Sequence, residues 1–194
     1  MQTTGDDDGK AYSRLFFALW PDEATRQILT RLTETFSAQA GKPVVPNNLH
    51  VTLVFLGNVD QTTASAIKQR ACDISVEPFE LIFESLNYWQ QPKICCFTCK
   101  DIPPQIIDLA SKLNTLAKQS GLQTDPRPYV PHITLSRHAQ SAPEQAITPL
   151  VWRADAFCLV ESSSEPEGVC YRVLQRWPSS RGSDAYDATK PSIT

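Results

Sequence analysis

No stretch of this chain approaches the roughly 20 apolar residues that a membrane-spanning helix requires. Its first ten residues, Met1 to Lys10, are polar and acidic where a secretory leader would be basic and then apolar. The expectation is a cytoplasmic protein with no membrane partner. Excess basic charge is missing too: 18 Lys and Arg stand against 21 Asp and Glu, a net charge of −3. That balance excludes a protein that coats long nucleic acid through a broad basic face, while permitting recognition of a few phosphates. No glycine-rich loop follows a strand, which removes the usual cradle for a nucleotide cofactor. Histidine is scarce, with three in 194 residues, and none forms a His-x-x-x-His pair with a third ligand nearby.

The six cysteines do not supply the missing metal site. Cys96 and Cys99 have Cys-x-x-Cys spacing, but they lie in the apolar run Lys93-Ile94-Cys95-Cys96-Phe97-Thr98-Cys99, which reads as a buried strand. Residues i and i+3 of a strand face opposite ways, about 10 Å apart at roughly 3.3 Å per residue. A disulfide requires Cα atoms within about 7 Å. No second Cys-x-x-Cys completes a zinc site. These cysteines are read as small buried hydrophobes, and the chain is expected to use no cofactor and no metal.

What the chain does contain is a repeated phrase. Two of its three histidines lie in His50-Val51-Thr52-Leu53 and His132-Ile133-Thr134-Leu135, 82 positions apart. Each copy is apolar and β-branched around its polar pair, so each reads as a strand. Side chains at i and i+2 of a strand share a face, so each copy offers one imidazole and one hydroxyl on the same side. A single copy would suit a hydrogen-bonded core histidine. Two copies point to two similar strands serving one cleft. Imidazole titrates near neutrality and can act as base or acid. Two imidazoles across a phosphorus can remove a proton from water and deliver one to a leaving oxygen. The hydroxyls beside them can hold the non-bridging oxygens as charge shifts. His138, the third histidine, follows Arg137 at a strand end and reads as a solvated loop residue.

The rest of the sequence alternates strands and helices. Residues 1–12, with Asp6-Asp7-Asp8, read as a flexible acidic arm, and 178–194 as a disordered tail. Between them, 13–177 is expected to form a single domain. A strand at 13–20 precedes a helix with Ala24, Ile28, Leu32 and Phe36 in its buried stripe, ending at Gly41. The first motif strand spans 49–56 and closes at Gly57-Asn58. Asp60 caps a second helix with Ala64, Ile67, Ala71 and Ile74 inward. Strands at 79–86 and 93–99 flank a turn-rich segment. Pro103-Pro104 opens a third helix with Ile106, Leu109, Leu113 and Leu116 inward and Gly121 at its end. After the second motif strand comes a loop around Pro143 and Pro149. Strands at 155–162 and 169–176 then form a hairpin with a long, soft connection. The pattern predicts an α+β fold with largely antiparallel sheet.

These residues resemble a known family. The two tetrapeptides are the signature of the two-histidine (2H) phosphoesterases, and the wider pattern resembles the bacterial RNA 2′,3′-cyclic phosphodiesterases, also called 2′-5′ RNA ligases. The likeness rests on Arg14-Leu15-Phe16-Phe17-Ala18, on Asn48-Leu49 through Phe55-Leu56-Gly57, on Pro131-His132-Ile133-Thr134-Leu135 with Arg137, and on Tyr171, Leu174 and Trp177. The resemblance implies a bilobal fold, with two pseudo-symmetric antiparallel sheets, outer helices, and the His-x-Thr strands facing each other across a central cleft. It implies hydrolysis of RNA 2′,3′-cyclic phosphate ends, or of nucleoside 2′,3′-cyclic phosphates, to 2′-phosphomonoesters by a monomer. His50 would be the proton donor and His132 the proton acceptor. Thr52 and Thr134 would hold phosphate oxygens. Arg137 would clamp the phosphate, with Arg127 a second candidate, and Phe55 would support the nucleoside. Two alternatives stay open: 2′-5′ joining of RNA ends at the same site, and a non-catalytic binder of RNA ends.

Overall fold

The computed structural model describes residues 11–37, 41–142, 147–166 and 168–179. Strand β1 (Tyr12–Leu19) leads into α1 (Glu23–Ser37), the short β2 (Lys42–Pro43) and a 3-10 turn at Pro46–Asn48. Then come β3 (Val51–Asp60), α2 (Gln61–Ala71), β4 (Phe79–Phe83), β5 (Ser85–Trp89) and β6 (Ile94–Thr98). Helix α3 (Pro104–Gln119) is followed by β7 (His132–Arg137), β8 (Leu150–Ala154), β9 (Ala156–Glu165) and β10 (Gly168–Pro178).

All pairings are antiparallel. The strands form two sheets, one of eight strands in the order β10-β9-β1-β3-β7-β6-β5 with β2 also on β7, and one of two strands, β4-β8. With the three α-helices among the described residues this is the expected α+β fold. The two halves of the large sheet meet where β3 lies beside β7, and there the ladder has one paired position, Val51 opposite Ile133. The motif strands are therefore neighbours at the seam of the two lobes. Helix α1 packs on β7 and β2, while α3 packs on β3 with α2 alongside. One hydrophobic cluster draws on both halves, with Phe17, Leu53 and Phe157 from one and Phe97, Ile133 and Leu135 from the other.

Helices α2 and α3 follow their sequence signals. Asp60 Oδ1 accepts from the backbone N–H groups of Thr62 and Thr63, each at 3.1 Å, and Ile67 and Ala71 are buried. The α3 face Ile106, Leu109, Leu113 and Leu116 is buried as expected, and Gly121 just beyond it is left-handed with φ of 81°. Helix α1 departs from expectation. Its buried face carries Thr25, Leu29 and Thr33, whereas Ala24 is exposed and Ile28 is 46% exposed. Thr33 donates its hydroxyl to the carbonyl of Leu29 at 2.8 Å, which satisfies the polar atom and leaves the methyl free to pack. The side chain of Phe36 lies outside the described residues.

Three strand expectations also change. The segment 79–86 is two strands, because Glu84 breaks it: its N–H donates to Thr98 O at 3.1 Å and its carboxylate accepts from Lys100 N at 3.2 Å. Strand β4 therefore leaves the large sheet and pairs with β8, which replaces part of the loop expected around Pro149. The first motif strand does not stop at Gly57 but runs through it to Asp60, with Gly57 at φ 73° absorbing a bulge. The β9–β10 connection is shorter than expected, since Gly168 already pairs with Glu165. At the ends, Tyr12 belongs to β1, and Ser179 is buried with its N–H on Asp155 O at 2.6 Å. Residues 1–10 of the expected arm, residues 180–194 of the expected tail, and Pro143 lie outside the described residues.

Candidate active site

Extending the Val51–Ile133 register by one residue places His50 opposite Thr134 and Thr52 opposite His132. Val51 and Ile133 are both fully buried on one side of the sheet. The alternation of a strand then turns all four motif side chains to the other side. A local two-fold relation through the seam thus gathers two imidazoles and two hydroxyls on one face.

The two rings are held alike. His50 Nδ1 lies 2.7 Å from the carbonyl oxygen of Asn48, and His132 Nδ1 lies 2.8 Å from that of Val130, each two residues upstream. A carbonyl only accepts, so Nδ1 carries the proton in both rings and Nε2 is left for chemistry. His50 Nε2 is 2.9 Å from Thr52 Oγ1, so the neutral ring accepts the threonine proton. This contact confirms that the i, i+2 pair shares a face.

Aromatic rings surround His50, and one packs on His132. His50 stacks on Trp20 at 5.8 Å between centroids, with Phe16 at 5.0 Å and Tyr171 edge-on at 5.2 Å. Arg26 sits over the Trp20 ring at 5.5 Å. His132 packs against Trp89 at 4.6 Å. Tyr129 donates its hydroxyl to the Thr52 carbonyl at 3.0 Å, fixing the strand between the histidines. Burial drives the His50 pKa down to about 4. The Asn48 carbonyl opposes that shift, and the charges of His132 and Arg137 add to it. Burial also lowers His132, against the pull of the Val130 carbonyl. In the absence of an anion, both rings are neutral at pH 7.

Arg137 ends β7, exposed, and its charge reaches His50. Phe55 joins the same face through a bulge. Phe17 pairs with Val54 but Ala18 pairs with Thr52, so Leu53 is an extra residue that reverses the alternation. Phe55, 55% exposed, therefore pairs with Phe16 and lies 6.0 Å from its ring. Arg127 is exposed in the segment before β7, with its guanidinium forked on Asp125, Nε to Oδ1 at 2.9 Å. That contact holds the Asp125 carboxyl down at about 2. His138 is exposed, with a left-handed φ of 57°.

Sequence reasoning missed the enclosing residues Asn48, Trp20, Trp89 and Tyr129 as parts of the site. Asn48 and Trp20 carried a usable signal, one sitting two residues before the first histidine and the other ending the strand beside it. Among the described residues, no three His, Cys, Asp or Glu side chains gather to hold a metal ion. Cys95, Cys96, Cys99 and Cys158 are buried free thiols, as the strand reading of the Cys-x-x-Cys segment required, while Cys72 and Cys170 are exposed. Burial pushes the Cys96 thiol up to about 12.

Against known families, the chain matches the model of the LigT-like phosphoesterases over residues 19–95 and 97–171, one His-x-Thr motif in each block. The chain belongs to this family. An RNA 2′,3′-cyclic phosphodiesterase of Escherichia coli K12 is 34% identical over 167 residues, covering 84% of this chain and 95% of that protein. A protein of the same name from Archaeoglobus fulgidus is 26% identical over 174 residues, covering 84% and 98%. Among solved structures, E. coli LigT complexed with 3′-AMP aligns with a TM-score of 0.79 at 30% identity, covering 88% of this chain and 99% of that one. The family fold is thus present across nearly the whole of these relatives. Among the described residues, no helix is long and apolar enough to cross a membrane.

Proposed function

We propose that this protein hydrolyses 2′,3′-cyclic phosphodiester ends of RNA, and the corresponding nucleoside 2′,3′-cyclic phosphates, to 2′-phosphomonoesters without a metal ion. The observation that carries this reading is the pair of imidazoles on one sheet face. Each is locked by a carbonyl at Nδ1, which leaves Nε2 for chemistry, and His50 Nε2 lies beside Thr52. The relatives' name, RNA 2′,3′-cyclic phosphodiesterase, supports the substrate class.

Water attacks the phosphorus on the His132 side, and His132 Nε2 takes its proton. The bond from phosphorus to the 3′ oxygen breaks, and His50 Nε2 gives that oxygen a proton. The phosphate stays on the 2′ oxygen. The His50 pKa near 4 sets a condition on this scheme, because the donor has to be protonated before it can act. A phosphate monoanion between the rings supplies it: negative charge favours imidazolium at His50 and offsets the repulsion from Arg137. Thr52 and Thr134 hold the non-bridging oxygens, Arg137 clamps the phosphate, and Phe55 supports the nucleoside. Arg127 would contribute only by exchanging Asp125 for the phosphate chain.

The test incubates the protein with a nucleoside 2′,3′-cyclic phosphate in EDTA and identifies the product by phosphorus NMR. A 2′-phosphate is expected. Turnover that requires added metal, or a 3′-phosphate product, would overturn the scheme.

A further inference from the structure

We propose that Asn48 is a positioning residue for the proton donor, fixing the carbonyl that orients His50 by locking its own side chain into β10. The inference rests on the acid role given to His50 above. Asn48 lies at the end of the 3-10 turn, two residues before the histidine, and is 8% exposed. Its Nδ2 donates to Val169 O at 2.6 Å, and its Oδ1 accepts from Tyr171 N at 3.1 Å. The amide therefore bonds alternate backbone groups of a strand more than 120 residues away, as a neighbouring strand would. The same residue's carbonyl receives His50 Nδ1–H at 2.7 Å. Tyr171, whose N–H it holds, stands edge-on to the imidazole. One buried side chain thus ties down both the ring's hydrogen-bond acceptor and one wall of its enclosure.

The second lobe provides an internal comparison. Val130 occupies the matching position before His132, and its carbonyl makes the matching bond. Its side chain is apolar and 43% exposed, so it cannot anchor its own carbonyl as Asn48 does, and the segment is held instead by the neighbouring Tyr129 hydroxyl on the Thr52 carbonyl. The two imidazoles share a tautomer but not a mounting. The difference suits the two roles. A donor has to aim a proton at one leaving oxygen, and a misplacement of about 1 Å can cost 10²-fold. A base that takes a proton from mobile water tolerates more freedom. An amide is also the side chain the site requires, because it donates and accepts at once and does not titrate where histidine does. A carboxylate would face the Val169 carbonyl with no proton to give.

The test compares wild type with Asn48→Ala and Asn48→Ser. It uses nitrogen-15 NMR of the histidine rings, steady-state kinetics with a nucleoside 2′,3′-cyclic phosphate, and thermal melting. In Asn48→Ala, His50 is expected to lose its uniform Nδ1–H tautomer while His132 keeps its own. kcat should fall roughly 10- to 100-fold, the size seen when an orienting partner is removed from a ligand histidine, with KM changed less. Asn48→Ser keeps a polar side chain at the position and should fall between, which preserves the test if the alanine variant folds poorly. Wild-type His50 signals in both variants would overturn the proposal, whatever the activity. So would equal disturbance of both histidines with a lowered melting point, which marks general packing. If wild-type protein does not turn over the cyclic phosphate, the functional reading fails, and the tautomer experiment still decides the role of Asn48.

Discussion

A histidine that gives Nδ1–H to a carbonyl keeps one nitrogen for chemistry, and the neighbourhood of that nitrogen decides its charge. His50 is surrounded by Phe16, Trp20 and Tyr171, and its pKa falls from 6.5 to about 4. Between those values an unfolded chain binds a proton that the folded, anion-free site refuses. Stability contributed by His50 is therefore fully present above pH 6.5 and is lost as pH falls toward 4. His50→Gln should remove this dependence, so its melting point should rise relative to wild type as pH drops through that window. Inorganic phosphate should shrink the difference by stabilising the imidazolium. A constant offset between the two proteins from pH 7 to 4 would show that His50 is not buried neutral.

The same shift predicts the pH dependence of activity. kcat/KM reports the free enzyme, in which His50 protonated and His132 neutral is a minor combination, so its optimum should lie below the ordinary histidine value of about 6.5. kcat reports the complex, where bound phosphate raises both rings, and its optimum should lie at higher pH. The limbs belong to the coupled pair. His132→Ala should abolish the acidic limb and His50→Ala the basic one, each with a loss of about 10²–10⁴-fold. Exchanged limbs would exchange the roles. Retention of the full bell in both variants would remove the histidines from the proton transfers altogether.

At the scale of elements, what could be read in advance depended on whether a signal was local. The His-x-Thr strands, the Asp60 cap and the apolar stripe of α3 were legible because alternation, capping and helical spacing each act within a few residues. Helix α1 was misread because Thr25 and Thr33 pack inward, Thr33 with its hydroxyl on the Leu29 carbonyl and Thr25 held by the Asp22 carboxylate, which residue type alone does not reveal. Strand β8 and the break at Glu84 were hidden because both depend on partners far along the chain. Tyr171 beside His50 and Trp89 beside His132 come from distant strands and were hidden for the same reason, with Phe55 further displaced by a bulge that strict alternation cannot foresee. Gly41, read as a helix end, has a larger role. Its φ is 89°, and an added Cβ would strike the carbonyl oxygen of Arg137 and lie 2.8 Å from the backbone N of Ala139. Gly41→Ala is therefore expected to destabilise by more than about 1 kcal/mol in urea titration. Because the clash pushes on the residue proposed to clamp phosphate, KM should rise more than kcat falls. Wild-type stability and KM would show that the turn relaxes without moving Arg137.

For the whole molecule, the seam is the decisive feature. The two lobes meet at Val51 and Ile133, and the face proposed as the active site exists only while that register holds. The ladder there is a single paired position, so hydrogen bonding between the lobes is slight. The hydrophobic cluster compensates by running through both halves without a break. Lobes joined by a shared core should unfold together, whereas lobes joined by a ladder alone should part first. Urea denaturation followed by tryptophan fluorescence and by far-ultraviolet circular dichroism is expected to give one coincident transition. Ile133→Ala, which opens a cavity at the seam, should lower stability by about 2–5 kcal/mol while keeping that transition single. Activity should fall more than the folded fraction does, since the cavity lets the two motif strands shift and each strand carries half the site. Two separated transitions in wild type would show that the lobes are independent domains. In that case the alignment of His50 with His132 would depend on the hinge between them instead of on a common core.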